Sequence, residues 1–161
     1  MKPFRVGFGE DIHRFEVGRR LILGTVEIPF EKGLLGHSDA DVVLHALADS
    51  ILSAIGESDI GAFFPNNDPS IEGIDSKEIV DFAKNKAELH GYSIGNTSIS
   101  ILAERPKLRP HIQKMKEGIA LLLGIDVDEV GIAAGTNEGI DGVGHMEGIK
   151  ATAVTLLVRK E

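Results

Sequence analysis

A chain of 161 residues, 42% of them hydrophobic, suits one domain of roughly 150 residues with a substantial core and is too apolar to be disordered. It holds six histidines and no cysteine, which excludes disulfides and thiolate metal centres; any metal must sit on imidazole and carboxylate, a set that favours zinc, manganese or magnesium. The net charge of −8, the absence of a membrane-length apolar run and the lack of a signal-peptide core argue against nucleic-acid and membrane partners, so a soluble, cytoplasmic protein is expected.

The segment Phe4-Arg-Val-Gly-Phe8 alternates as a strand does, with Phe4, Val6 and Phe8 on one face. If the strand continues, Gly7, Gly9, Asp11 and His13 share the other. Leu21–Leu23 and Val26–Ile28, joined by Gly24-Thr25, read as a tight hairpin. A helix is expected from about Ser38 or Asp39, either of which can cap it, to Ile55 and Gly56. Its spacing puts Asp41, His45 and Asp49 on one stripe and Val43, Leu44, Leu47 and Ile51 on the side of a core.

The loop from Asp59 to Pro69 carries Phe63 and Phe64, either as a lid or as a plug into the core, and Ser70 to Ile74 is expected to be irregular and mobile. Asp75 with Glu78 predicts a capped helix burying Ile79, Phe82, Ala83 and Leu89 and ending at Gly91. A long strand is expected over Tyr92–Ala103, with Thr97, Ile99 and Ile101 on one face. A helix starting near Pro110 buries Ile112, Met115, Ile119, Leu122 and Leu123, and strands follow over 130–134 and 151–159. Without repeat or linker, residues 1–161 form a single domain. The element order implies an α+β fold in which a mixed β-sheet carries helices packed on one face; no helices remain for the other face, which sister subunits would bury.

Asp-x-His on a strand points both side chains the same way. Asp11 and His13 together with His45 therefore make a three-ligand set, the protein half of an open zinc site. Each residue alone is more readily part of a surface pair or a capped core histidine; the set together favours metal. Arg105, Lys107 and Arg109, with the backbone at Pro106, concentrate cations able to hold a nucleotide or diphosphate. Thr136 and Glu138, among glycines past a strand end, suit phosphate and a second, harder cation, Mg2+ or Mn2+. His37 and Ser38 are placed to donate to an anion at a helix N-terminus. A zinc hydrolase using Asp49 as base, and a non-catalytic binding protein, are alternative readings of the same residues.

Asp11-Ile-His13, Gly33 to Asp41 with His45, Asp59-Ile-Gly61, Phe64-Pro65 with Asp68-Pro69, Pro106-Lys107, and Thr136 with Glu138 resemble the 2-C-methyl-D-erythritol 2,4-cyclodiphosphate synthase family. The match runs through nearly the whole chain. It implies a homotrimer with sites between subunits, and a reaction that turns a cytidine-diphosphate-linked small-molecule substrate into a cyclic diphosphate and CMP. The resemblance assigns transition-state stabilisation to His37 and Thr136, and zinc to Asp11, His13 and His45. It gives Glu138 a second divalent ion shared with the substrate diphosphate. Asp49 and Asp59, Ile60 and Gly61 would hold the erythritol arm. Ala103, Arg105, Pro106, Lys107, Leu108 and Arg109 would hold the cytidine. Ser38, Phe64, Pro65, Asp68 and Gly135 complete the expected contacts. The chain departs from the family pattern at Asn66 and Asn67, in the segment after Glu138, and at Glu10 and His145. The family pattern places these last two near the three-fold axis, where Glu10 repels a diphosphate and His145 is positive only when protonated. Isoprenoid diphosphates are therefore expected to bind poorly at neutral pH and better in mild acid; pairing of the two, which would compensate, and exposure of both to solvent are the alternatives.

Overall fold

A computed structural model describes residues 1–161. Its five-stranded sheet has the order β4-β1-β7-β5-β6, built from β1 (Phe4–Val17), β4 (Lys32–Leu34), β5 (Tyr92–Leu102), β6 (Val130–Gly135) and β7 (Gly148–Arg159). Only β5 and β6 run parallel, so the sheet is mixed as expected. The hairpin of β2 (Leu21–Leu23) and β3 (Val26–Ile28) forms a separate ribbon. Helices α1 (Val42–Ala54), α3 (Ser76–Leu89) and α4 (Ile112–Leu123) cover one sheet face; α2 (Ile60–Phe63) and α5 (Asp141–Gly144) are single turns.

Strand β1 is one 14-residue strand, pairing first with β7 and then, over Phe15–Val17, with β4. Its alternation is as expected. Gly7 and Gly9 face α1, and a Cβ at either would lie 1.8 Å from the Ser50 carbonyl oxygen or 2.0 Å from that of Ala46. Only glycine lets the helix lie this close to the strand. On the opposite face Phe4, Val6, Phe8 and Ile12 are 59, 66, 54 and 58% exposed. That row continues across the sheet into Val154 on β7.

Helix α1 is buried almost all round, with only Asp49 and Ser53 reaching solvent. Ser50 joins it to the sheet through a buried hydroxyl chain, Ser50–Thr155 at 2.6 Å and Thr155–Thr97 at 3.0 Å. The cap is Asp41, not Ser38 or Asp39, because those two side chains are drawn to other partners described below. Leu89 is also misassigned by the helical period: it sits in the last turn of α3, 87% exposed. Within the chain Glu10 meets Lys150 Nζ at 2.7 Å on the bare sheet face, where the lysine offsets its charge. Strand β4, α2 and α5 escaped the sequence because each is too short to show a period.

Asp41 fastens the hairpin to the helix. One oxygen accepts from Gly24 N at 2.9 Å and Leu44 N at 3.1 Å, and the other from Thr25 N at 2.9 Å. The turn it grips has positive φ at both Gly24 and Thr25, a conformation a threonine holds only with outside support. Burial pushes the Asp41 carboxyl up from 3.8 to about 6, against the pull of the three N–H donors. The folded chain thus binds this proton more readily than the unfolded one. The residue's proton-linked stability is full below the lower value and is lost as pH rises through about 6. Asp41→Ala should destabilise the fold by about 2–4 kcal/mol at neutral pH, through a lost cap and orphaned buried N–H groups. It should also flatten the decline in stability across that pH window. Denaturant unfolding at fixed chain concentration reads both; unchanged stability and slope would contradict the role.

Candidate active site

Asp11 and His13 lie two apart on β1, on the face that α1 covers, and His45 stands one turn into α1. Asp11 Oδ2 is 2.8 Å from His13 Nε2 and 3.2 Å from His45 Nδ1, and the two ring nitrogens are 3.2 Å apart. A tetrahedral ion with bonds of about 2.0–2.2 Å separates its ligand atoms by roughly 3.4 Å, so this triangle is near the spacing required. The remaining ring nitrogens are engaged elsewhere. His13 Nδ1 meets the Leu35 carbonyl at 2.8 Å, and His45 Nε2 meets Ser76 Oγ at 2.9 Å and Ser38 Oγ at 3.0 Å. Such outer partners leave Nε2 of His13 and Nδ1 of His45 to face the common point. Burial works to raise the Asp11 pKa, but hydrogen bonds and charge from both rings outweigh it and hold the carboxyl at about 2. Burial likewise opposes charge on His13, yet Asp11 and the Leu35 carbonyl raise its pKa. The donor set and its geometry fit a metal.

The cluster floors a cavity of about 310 Å³ whose walls include His37, Ser38, Ile60, Gly61 and Phe64. Arg19 shapes the entry to α1 by donating to the carbonyls of Gly36 and Ser38, each at 2.9 Å. The His37 ring is held by Nε2 at 2.9 Å from the Asp68 carbonyl. Asp49 lies off the cavity wall, accepting Ile60 N at 2.8 Å, while Asp59 caps α2 through Ala62 N. Burial raises the Asp49 pKa, aided by the charges of Asp59 and Asp11. Phe63 and Phe64 both pack on Phe82 of α3, with ring centroids 5.0 and 5.1 Å away. They plug into the core, and Phe64 also faces the metal cluster. The Ser70–Ile74 stretch is tied down: it contains the end of a 3-10 turn over Pro69–Ile71, and its backbone bonds to His37 and Asp39. Asn66 joins the cavity wall.

A second cavity, of about 610 Å³, lies at the β5–β6 end of the sheet. Its lining includes Ala103, Pro106, Lys107, Arg109, Gly135 and Thr136, with Leu108 anchoring the segment in the core. Arg105 does not line it and is exposed. Glu104 holds the 137–139 turn by accepting Asn137 N at 2.7 Å, and Thr136 Oγ1 accepts Glu138 N at 3.3 Å. Glu138 is exposed on that turn and is not brought to the metal cluster. The two cavities share no lining residue. Strands β1 and β6 are separated by β7 and β5, a span of about 14 Å at ordinary strand spacing.

The residues the sequence did not disclose are Ser76, Asp39 and Arg19. Ser76 follows the cap Asp75 and reads there as part of a helix start, and Asp39 reads as a cap for α1. The packing of α3 on α1 brings Ser76 to both His45 and Asp39.

Residues 4–158 match the model of the YgbB family. A 2-C-methyl-D-erythritol 2,4-cyclodiphosphate synthase from Pelobacter propionicus is 51% identical, over 97% of this chain and 99% of that protein. A solved structure described as IspF from Plasmodium falciparum in complex with CDP is 32% identical, with a TM-score of 0.87, over 100% of this chain and 99% of that one. A 2C-methyl-D-erythritol-2,4-cyclodiphosphate synthase solved in a CDP-bound form is 38% identical, with a TM-score of 0.88, over 95% of this chain and 99% of that one.

His45→Ala should leave the fold intact, since the core residues around it on α1 are untouched, and should abolish stoichiometric metal binding. Elemental analysis of the purified variant beside its circular dichroism spectrum checks this; full metal occupancy would overturn the ligand assignment.

Proposed function

The chain belongs to the YgbB family, and from that premise we infer the reaction it catalyses. It converts 4-diphosphocytidyl-2-C-methyl-D-erythritol 2-phosphate into 2-C-methyl-D-erythritol 2,4-cyclodiphosphate and CMP, a step of non-mevalonate isoprenoid synthesis. An oxygen of the 2-phosphate attacks the β-phosphorus, the bond from that phosphorus to the bridging oxygen breaks, and CMP departs with that oxygen. Both reacting groups belong to one molecule, so the protein's task is to fold the substrate back on itself and offset charge.

The observation that supports this reading best is the convergence of Asp11, His13 and His45 on one point in a cavity. Asp11, His13 and His45 would hold zinc and Glu138 magnesium or manganese; bound there, these ions supply positive charge to the phosphoryl group in transfer. His37, whose Nε2 donates to the Asp68 carbonyl, lines the metal-side cavity. Thr136 accepts the Glu138 N–H, which leaves its own hydroxyl proton for a phosphate oxygen. Ser38 and the Ile60-Gly61 backbone line the erythritol side, and Lys107 and Arg109 bring cations to the cytidine side. Asp49 accepts Ile60 N through one oxygen and does not line this cavity, which disfavours the hydrolase reading.

One substrate must reach both cavities, and the bare apolar face of β1 and β7 needs covering. A homotrimer meets both requirements when the metal cavity of one chain abuts the Ala103–Arg109 segment of its neighbour. No helix is long and apolar enough to cross a membrane; a cytoplasmic site of action is part of the proposal.

Phosphorus NMR of purified protein with the substrate should show the cyclic diphosphate and CMP, and none after a chelator has stripped the metal. Linear hydrolysis products would favour a hydrolase. Asp11→Ala chains and Lys107→Ala/Arg109→Ala chains, each weakly active alone, should regain part of the wild-type rate when mixed and reassembled. Full activity from a monomer would rule out the shared site.

A further inference from the structure

His45 has two ring nitrogens and a choice to make. Its Nδ1 faces Asp11 Oδ2 at 3.2 Å, and that carboxylate alone would draw the ring proton to Nδ1. With the proton there, the nitrogen nearest the metal point would have no lone pair to offer. The opposite edge of the ring, however, meets Ser76, the first residue of α3, which is fully buried.

Ser76 is not a freely turning hydroxyl. Its Oγ also contacts Asp39 Oδ1, while Asp39 Oδ2 accepts Ser76 N at 3.1 Å. A carboxylate has only acceptor capacity, so the Ser76 proton goes to Asp39. Ser76 Oγ is then left as an acceptor toward His45 Nε2, which must carry its proton there. Ser38 cannot fix this direction by itself. It accepts Ala40 N at 3.0 Å, and its own proton is free to turn toward either His45 or Ser76, 3.4 Å away.

We propose that Ser76, oriented by Asp39, is a positioning residue that fixes the proton of His45 on Nε2 and thereby presents Nδ1 to the metal. The same contact ties the metal ligand to the segment over the cavity. Ile74 and Gly73, just before Ser76, bond through the backbone to Asp39 and His37. A change in the seating of α3 is therefore felt at the metal ligand through one hydroxyl. The proposal rests on the reading of His45 as a ligand.

The test is tautomer assignment on metal-free, 15N-labelled protein in mildly alkaline buffer, by long-range proton–nitrogen correlation, with zinc affinity measured by competition against a chromophoric chelator. Wild type should show His45 protonated on Nε2. Ser76→Ala, and Asp39→Asn, which keeps the hydroxyl but frees its direction, should move His45 population to Nδ1–H. Zinc affinity should fall in step by about 10–100-fold. The Asn variant answers the question if the Ala variant does not fold. A wild-type ring protonated on Nδ1 would overturn the proposal. So would variants that lose zinc affinity with the tautomer unmoved, or that change in neither. Failure of wild type to bind zinc would refute the ligand reading instead, while the tautomer assignment would still be measured.

Discussion

The site depends on how closely one helix approaches one strand. Gly7 and Gly9 remove the side chains that would collide with the Ala46 and Ser50 carbonyls, and α1 settles directly on β1. His45 lies one residue before Ala46, so the same approach carries its ring to Asp11 and His13, the next residues on that strand face. Any Cβ at Gly7 or Gly9 would force the helix outward and open the ligand triangle. The cluster is thus a consequence of core packing, and the Ser50–Thr155–Thr97 hydroxyl chain stitches the same helix to the neighbouring strands.

Around that contact, several polar side chains are bonded to the chain's own backbone. Arg19 holds two carbonyls at the α1 entry, Asp41 holds the hairpin, Asp49 holds α2 and Glu104 holds the turn after Thr136. These contacts preorganise donors at little further entropic cost when substrate arrives. They also explain how a protein of net charge −8 handles a diphosphate. Most acidic groups at the cavities face N–H donors or the metal point, leaving Lys107 and Arg109 exposed at the second cavity.

Much of this was legible in the sequence, for physical reasons that differ by element. The alternation of Phe4, Val6 and Phe8 with Gly7 and Gly9 encodes a two-faced strand, and the Asp-x-His pair inherits its face directly. The glycine of Gly24-Thr25 marks the hairpin turn. What stayed hidden are contacts between elements distant in the chain. In the sequence Asp39 reads as a helix cap, Asp41 as part of a helix stripe and Ser76 as part of a helix start; their partners are set by how the hairpin and α3 pack on α1, which no local period encodes. The exposed Leu89 shows the converse, a residue in helical phase that lies at the end of α3 beyond the core it would have to reach.

The central claim is that a metal on Asp11, His13 and His45 and a nucleotide on the Ala103–Arg109 segment of a neighbouring chain form one site. The most direct measurement is anomalous diffraction across the zinc edge from crystals grown with CDP. The account predicts an anomalous peak about 2.0–2.2 Å from Asp11 Oδ2, His13 Nε2 and His45 Nδ1, with the cytidine seated on the adjacent subunit. A metal bound elsewhere, or metal and nucleotide held entirely by a single isolated chain, would contradict it.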